Sequence, residues 1–178
     1  MSRVFAALSL LALGAGTLSA QAAPAADNPS VAAVGLYWEQ ITGFITQAAK
    51  DMPEERYAYQ PTPEVRTFGR LIGHVAGAQR MICAIAMGET PSGEDDVERT
   101  VTAKADLIAA LEASTAYCRR AYAQADAATR APAELFGAKV TRFHALTLNA
   151  THNAEHYGNI VTYLRINGMV PPSSRGGM

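Results

Sequence analysis

Four stretches of this chain repeat their apolar residues every three or four positions, and we find no period-two alternation. That rhythm is the signature of amphipathic helices and restricts the fold to packed helices, with no strands expected. The first stretch opens at Asn28-Pro29, an N-cap residue followed by proline at the first helical position. Val31, Val34, Trp38, Ile41, Ile45 and Ala48 carry its apolar face, and Pro53 ends it, so a helix is predicted over 29–51. Residues 52–66 hold three prolines and no period, and read as a loop. Thr67 then caps a second helix, 68–87, with Phe68, Leu71, Ile72, Val75, Ala78, Ile82 and Ile85 inward. A polar break at 88–96 separates it from a third helix over 102–126, marked by Leu107, Ile108, Leu111, Cys118 and Tyr122. The fourth is predicted over 138–166, stopped by Asn167-Gly168 and by Pro171-Pro172. Four helices of about 20–28 residues make an all-α, four-helix bundle. There is no internal repeat, and the organisation is a single domain over 23–178.

Residues 1–22 are read as an export leader rather than as part of the fold. Arg3 precedes an apolar run of about 13 residues, too short to span a bilayer, so no stable membrane insertion is expected. Ala20-Gln21-Ala22 fits a small-residue cleavage signature, which places the mature start near Ala23 and the protein in the periplasm or outside the cell. The chain has 178 residues, a net charge of −1 and 17% charged residues, without a basic run. Nucleic acid is therefore not an expected partner. In an oxidising compartment the two cysteines, Cys83 and Cys118, are expected to pair rather than stay as buried thiols. The loop so closed is about 35 residues, worth about 3–4 kcal/mol in the chain-entropy treatment.

The fourth helix carries His152 and His156 where the apolar pattern asks for leucine or isoleucine. At about 100° per residue the two imidazoles lie about 40° apart and one turn along, so both can reach one ion. Ala145, Leu148, Asn149, Asn159 and Tyr163 share their stripe, which is expected to face the interior. Buried polar groups cost a few kcal/mol each unless partnered, so a polar stripe here implies a shared ligand. His74 on the second helix, among Leu71, Val75, Ala78 and Met81, points inward and supplies a third imidazole. Three histidines leave an ion with open positions, and imidazole alone does not choose among zinc, nickel and iron. Hydrogen-bonded core histidines are the alternative that spacing leaves open. Cys83 is nine residues after His74, about 180° around the helix, and cannot join the site. His144 lies about 12 Å from His152 along the axis and is read as a surface or interhelical residue.

The segment HNAEH, 152–156, also fits the inverted zinc-protease pattern H-x-x-E-H, with Glu155 as the base. That pattern wants an acidic ligand well downstream and a second half to hold substrate, and only residues 157–178 follow. Glu155 lies about 80° off the histidine direction, at most a partner for a ligand imidazole.

The stretches RTFGRLIGHVAGAQ (66–79) and HNAEHYGNIVTYLRINGMVPPSS (152–174) resemble the DinB family of metalloenzymes. The resemblance implies an up-down-down-up bundle whose long crossover joins helices two and three. It implies a divalent ion held by His74, His152 and His156; Asn159 and Tyr163, further along the same stripe, are placed on the substrate side by their helical position. It further implies a metal-dependent enzyme of hydrolase or thiol-transferase type acting on a small molecule, and a homodimer. A non-catalytic metal-binding or stress-response protein of the cell envelope, and a purely structural bundle, are the alternatives.

Overall fold

The computed structural model of the protein describes residues 27–176. In chain order the elements are α1 (Pro29–Asp51), a 3-10 turn (Glu54–Arg56), α2 (Phe68–Met87), α3 (Asp96–Thr100), α4 (Lys104–Ala121) and α5 (Asp126–Thr129). Then follow β1 (Pro132–Leu135), β2 (Ala138–Thr141), α6 (Arg142–Ile166) and a closing 3-10 turn (Pro172–Ser174). The long helices α1, α2, α4 and α6 form the bundle. α2 packs on α4 and α6, and α1 packs on the same two from the opposite corner. No helix among the described residues is long and apolar enough to cross a membrane. The leader at 1–22 and the start near Ala23 lie outside the described residues.

The bounds of α1 and α2 are those read from sequence, but three of the remaining expectations need correcting. The third long helix runs from Lys104 to Ala121 instead of over 102–126, and Asp126, beyond its end, turns back to α1. Its carboxylate accepts the backbone N–H of Ser30 and of Val31, each at 3.0 Å. Asn28 occupies the N-cap position of α1, yet its side chain makes no capping bond. A residue 96 positions away therefore satisfies the orphan donors of the first turn. The fourth helix begins at Arg142 rather than 138, and the expectation of no strands fails at the same place. Residues 132–141 form an antiparallel hairpin in which Pro132 faces Thr141 and Leu135 faces Ala138. Phe136 and Gly137 turn it with φ of 51° and 78°, the left-handed pair that matches strand twist. The alternation Ala133, Glu134, Leu135 and its mirror Ala138, Lys139, Val140 spans too few residues to stand out beside long helical periods. The hairpin packs Leu135 into the core and hands the chain to Thr141, whose hydroxyl caps α6 by accepting the His144 N–H at 3.1 Å.

Two apolar clusters fill the bundle. One gathers Ile45, Met52, Phe68, Ile72, Leu107, Leu111, Ile160 and Leu164. The other gathers Trp38, Ile82, Cys83, Cys118, Tyr122 and Leu146. Between them lies a polar layer with a member from each long helix: Thr42, Gln79, Ser114 with Thr115, and Asn153. Gln79 Nε2 donates to Ser114 Oγ at 2.6 Å and to Thr115 Oγ1 at 3.1 Å. Asn153 Nδ2 donates to Thr42 Oγ1 at 3.1 Å and to Gln79 Oε1 at 3.2 Å. Cys83 and Cys118 are joined in a disulfide that staples α2 to α4, with Cα atoms 5.4 Å apart.

Candidate metal centre

His74 projects from the middle of α2, and His152 and His156 from successive turns of α6. Since α2 and α6 are neighbours, the three rings meet in the seam between them. His74 Nε2 lies 3.1 Å from His152 Nε2, and His156 Nε2 lies 3.0 Å from the same atom. All three donor nitrogens fall within 4.8 Å of one another. His74 and His156 are buried and His152 half-buried. A ring nitrogen either carries a proton or offers one lone pair, and His152 Nε2 faces two neighbours at once. Without an ion, both contacts can be met only by sharing a single proton or a single lone pair in a three-centre bond.

The protonation states suit a cation. Burial, followed by the neighbouring His74, holds His152 down to about 4. Burial, followed by His152 and His74, holds His156 down to about 3. His74 is also lowered, mainly by burial and by the Arg66 guanidinium, against the opposing pull of Glu98, Glu94 and Asp95. All three imidazoles are neutral at pH 7, the form that ligates. Nitrogens about 2.0–2.1 Å from a divalent ion, at angles of about 90–110°, lie roughly 2.9–3.4 Å apart. The two short spacings fall in that range, so the residues present fit the ion that the sequence suggests.

The surroundings place the other sequence-predicted residues. A cavity of about 460 Å³ opens beside the cluster, lined by Arg66, Arg70, Glu98, His156, Asn159 and Tyr163 among others. Asn159 is exposed at this cavity, not buried as the stripe argument expects. Tyr163 is buried, and its hydroxyl donates to the Arg66 carbonyl at 2.6 Å, tying the loop before α2 onto α6. His144 is exposed at the start of α6, and Glu155 is exposed as well. Asn149 is fully buried, with Nδ2 3.1 Å from the Tyr122 hydroxyl.

Sequence reasoning missed Arg66, Arg70 and Glu98. The Glu98 side chain is only 4% exposed, yet it sits in the stretch between the second and third predicted helices. Its Oε1 is 3.0 Å from both Arg66 Nε and an Arg70 terminal nitrogen. Glu94, from the same connection, brings Oε1 to 4.0 Å from His74 Nε2 without joining the three-imidazole group. The signal available in sequence was the spacing Gly69, Gly73, Gly77 around His74, which marks a helix face open to close approach.

The model of the DinB superfamily matches residues 38–160. Among solved structures, a DinB-like protein from Bacillus cereus ATCC 10987 superposes with a TM-score of 0.69 at 18% identity, over 82% of this chain and 95% of that one. A mycothiol-dependent maleylpyruvate isomerase superposes with a TM-score of 0.60 at 18% identity, over 76% of this chain and 66% of that one. At these identities the likeness is one of fold. No curated protein matches the sequence.

Proposed function

This chain belongs to the DinB superfamily, and on that premise we propose that it holds a divalent metal ion on His74, His152 and His156 and acts as a metal-dependent enzyme on a small molecule. The observation that carries this reading is the convergence of three neutral Nε2 donors with spacings of 3.0 and 3.1 Å. Zinc, nickel and iron all suit an imidazole set. When bound, such an ion supplies a Lewis acid and lowers the pKa of a water or thiol it carries, as hydrolase and thiol-transferase chemistry both need.

The chain's own residues would do the rest. The cavity of about 460 Å³ gives a small substrate access to the His156 side of the cluster. Asn159 offers an amide there, and Arg66 and Arg70 offer guanidinium N–H groups for an oxygen-rich substrate. Tyr163 holds the Arg66 backbone in place through its 2.6 Å bond, so its part is to shape the wall. The disulfide supports a periplasmic or secreted location, where low-molecular-weight thiols are scarce, and that favours the hydrolase over the transferase. We also read the connectivity as up-down-down-up, the stretch between α2 and α4 being the crossover.

Glu94 favours a second reading. Its carboxylate is 4.0 Å from His74 Nε2, and a small rotation would make it a fourth ligand. The site would then be closed, as in a non-catalytic metal-binding protein of the envelope.

Elemental analysis of untagged protein tests the first step. Wild-type protein is expected to carry close to one equivalent of metal, and His152→Ala/His156→Ala close to none. Equal metal content in the two would end the metal reading. A Glu94→Ala variant that keeps its metal but gains an exchangeable water would favour the closed-site alternative for the wild type.

A further inference from the structure

His74 differs from its two partners at the far side of the ring. The Nδ1 atoms of His152 and His156 are buried without a hydrogen-bond partner. The two charged groups nearest His74 Nδ1 are instead of opposite sign, with the Asp95 carboxylate further off at 3.9 Å. Glu98 Oε2 lies 3.2 Å from it, and an Arg66 terminal nitrogen lies 3.3 Å from it. These neighbours demand opposite tautomers. A guanidinium only donates, so pairing with Arg66 puts the lone pair on Nδ1 and the proton on Nε2. His74 then cannot ligate. A carboxylate accepts, so pairing with Glu98 puts the proton on Nδ1 and leaves the Nε2 lone pair aimed at His152 and His156.

The arrangement of Glu98 favours the second outcome. Its two oxygens are divided: Oε1 takes both guanidinium groups at 3.0 Å, and Oε2, buried without a hydrogen-bond partner, lies 3.2 Å from the imidazole Nδ1. Arg66 is thereby engaged through Nε, and its charge is met without His74. The backbone shows how Glu98 reaches this position. A Cβ on Gly73 would lie 3.0 Å from Glu98 Cα, and a Cβ on Gly77 would lie 1.9 Å from the Glu94 carbonyl oxygen. Helix-interior glycine costs about 1 kcal/mol against alanine. Two of them one turn apart, flanking His74, let the connection lie directly on α2 and deliver a buried carboxylate to that one ring.

We propose that Glu98 is a positioning residue for the metal centre: it fixes His74 in the Nδ1–H tautomer, orients the ring, and so makes Nε2 a ligand. This rests on the three-histidine reading. Arg66 is the competing partner, and Glu98 decides between them by holding that guanidinium at Oε1.

The first test uses metal-free, full-length wild-type protein and reads the His74 tautomer from long-range ¹⁵N–¹H correlation spectra. The expected result is a proton on Nδ1; a proton on Nε2 would overturn the proposal, whether or not any variant folds. The second measures zinc affinity by chelator competition. Glu98→Ala is expected to weaken zinc by about 10–100-fold and to move the His74 proton to Nε2, with Glu98→Gln in between. Loss of thermal stability with unchanged tautomer and zinc affinity would make Glu98 merely structural and sink the idea. Wild-type protein that binds no zinc, nickel or iron would end the metal reading itself, while the tautomer result would still stand or fall alone.

Discussion

His74 and Cys83 sit nine residues apart on α2 and serve opposite walls of the bundle. His74 meets His152 of α6 at 3.1 Å, whereas Cys83 is bonded to Cys118 of α4. One helix thus anchors the candidate metal centre on one side and a covalent staple on the other. Nine residues at about 100° each is half a turn out of phase, and this keeps thiol chemistry away from the imidazoles.

That separation predicts independent behaviour. Cys83→Ser/Cys118→Ser is expected to lose about 3–4 kcal/mol, the loop-closure contribution for a separation of 35 residues. Its metal content should equal that of the wild type. Urea unfolding beside elemental analysis checks both points, and a coupled loss of metal in protein that is still folded would contradict the two-wall picture.

Metal-free protein should be acid-sensitive through its histidines. The folded values of His152 and His156 are about 4 and about 3, against about 6.5 in an unfolded chain. Between those limits the unfolded state binds more protons, so stability rises with pH there. Their contribution is complete above about 6.5 and is lost as pH falls through about 4 for His152 and about 3 for His156. Denaturation midpoints of chelator-treated protein across this window should fall more steeply than those of His152→Ala/His156→Ala.

Gly77→Ala should be costly at this buried position, although a helix interior normally welcomes alanine. The new Cβ would stand 1.9 Å from the Glu94 carbonyl oxygen, a backbone atom that cannot rotate away. We expect a loss of about 1–3 kcal/mol, the range for overpacking, outweighing the gain in helix propensity. Gly158→Ala, on an exposed face of α6 with nothing within 4 Å, is the matched control and should be neutral or stabilising. Calorimetric melting of the two variants makes the comparison.

The polar layer predicts a further asymmetry. Gln79→Leu removes the donor to Ser114 and Thr115 and the acceptor for Asn153 in one step. Buried groups left unpaired cost about 1–3 kcal/mol, so the variant should lose at least that much. Adding Asn153→Leu should recover part of it, because the orphaned amide disappears. A double-mutant cycle in urea reads the coupling; strict additivity would mean that the layer is not a connected network.

Much of this molecule was legible from residues alone. The ends of α1 and α2, the inward direction of His74 and the exclusion of Cys83 from the site follow from helical angle and local stop signals, and the pairing of Cys83 with Cys118 from an even cysteine pair in an oxidising compartment. The four-residue strands did not, because Ala133–Leu135 and Ala138–Val140 are too short to outweigh neighbouring helical periods. The early end of α4 was equally hidden: Asp126 caps a helix 96 residues before it, a contact invisible in any local window.

What the sequence by itself determined is the four long helices and the face each histidine takes, since both depend on the 3.6-residue period and nearby caps. What only the tertiary structure decided is which side chains from distant segments share a site. Packing α2 on α6 brings three imidazoles to 3 Å spacings, and Gly73 with Gly77 lets a connecting segment press Glu98 and Glu94 against His74. Periodicity is a property of consecutive residues. Close approach between segments far apart in sequence depends on relative axial position and backbone contact, and no local pattern encodes those.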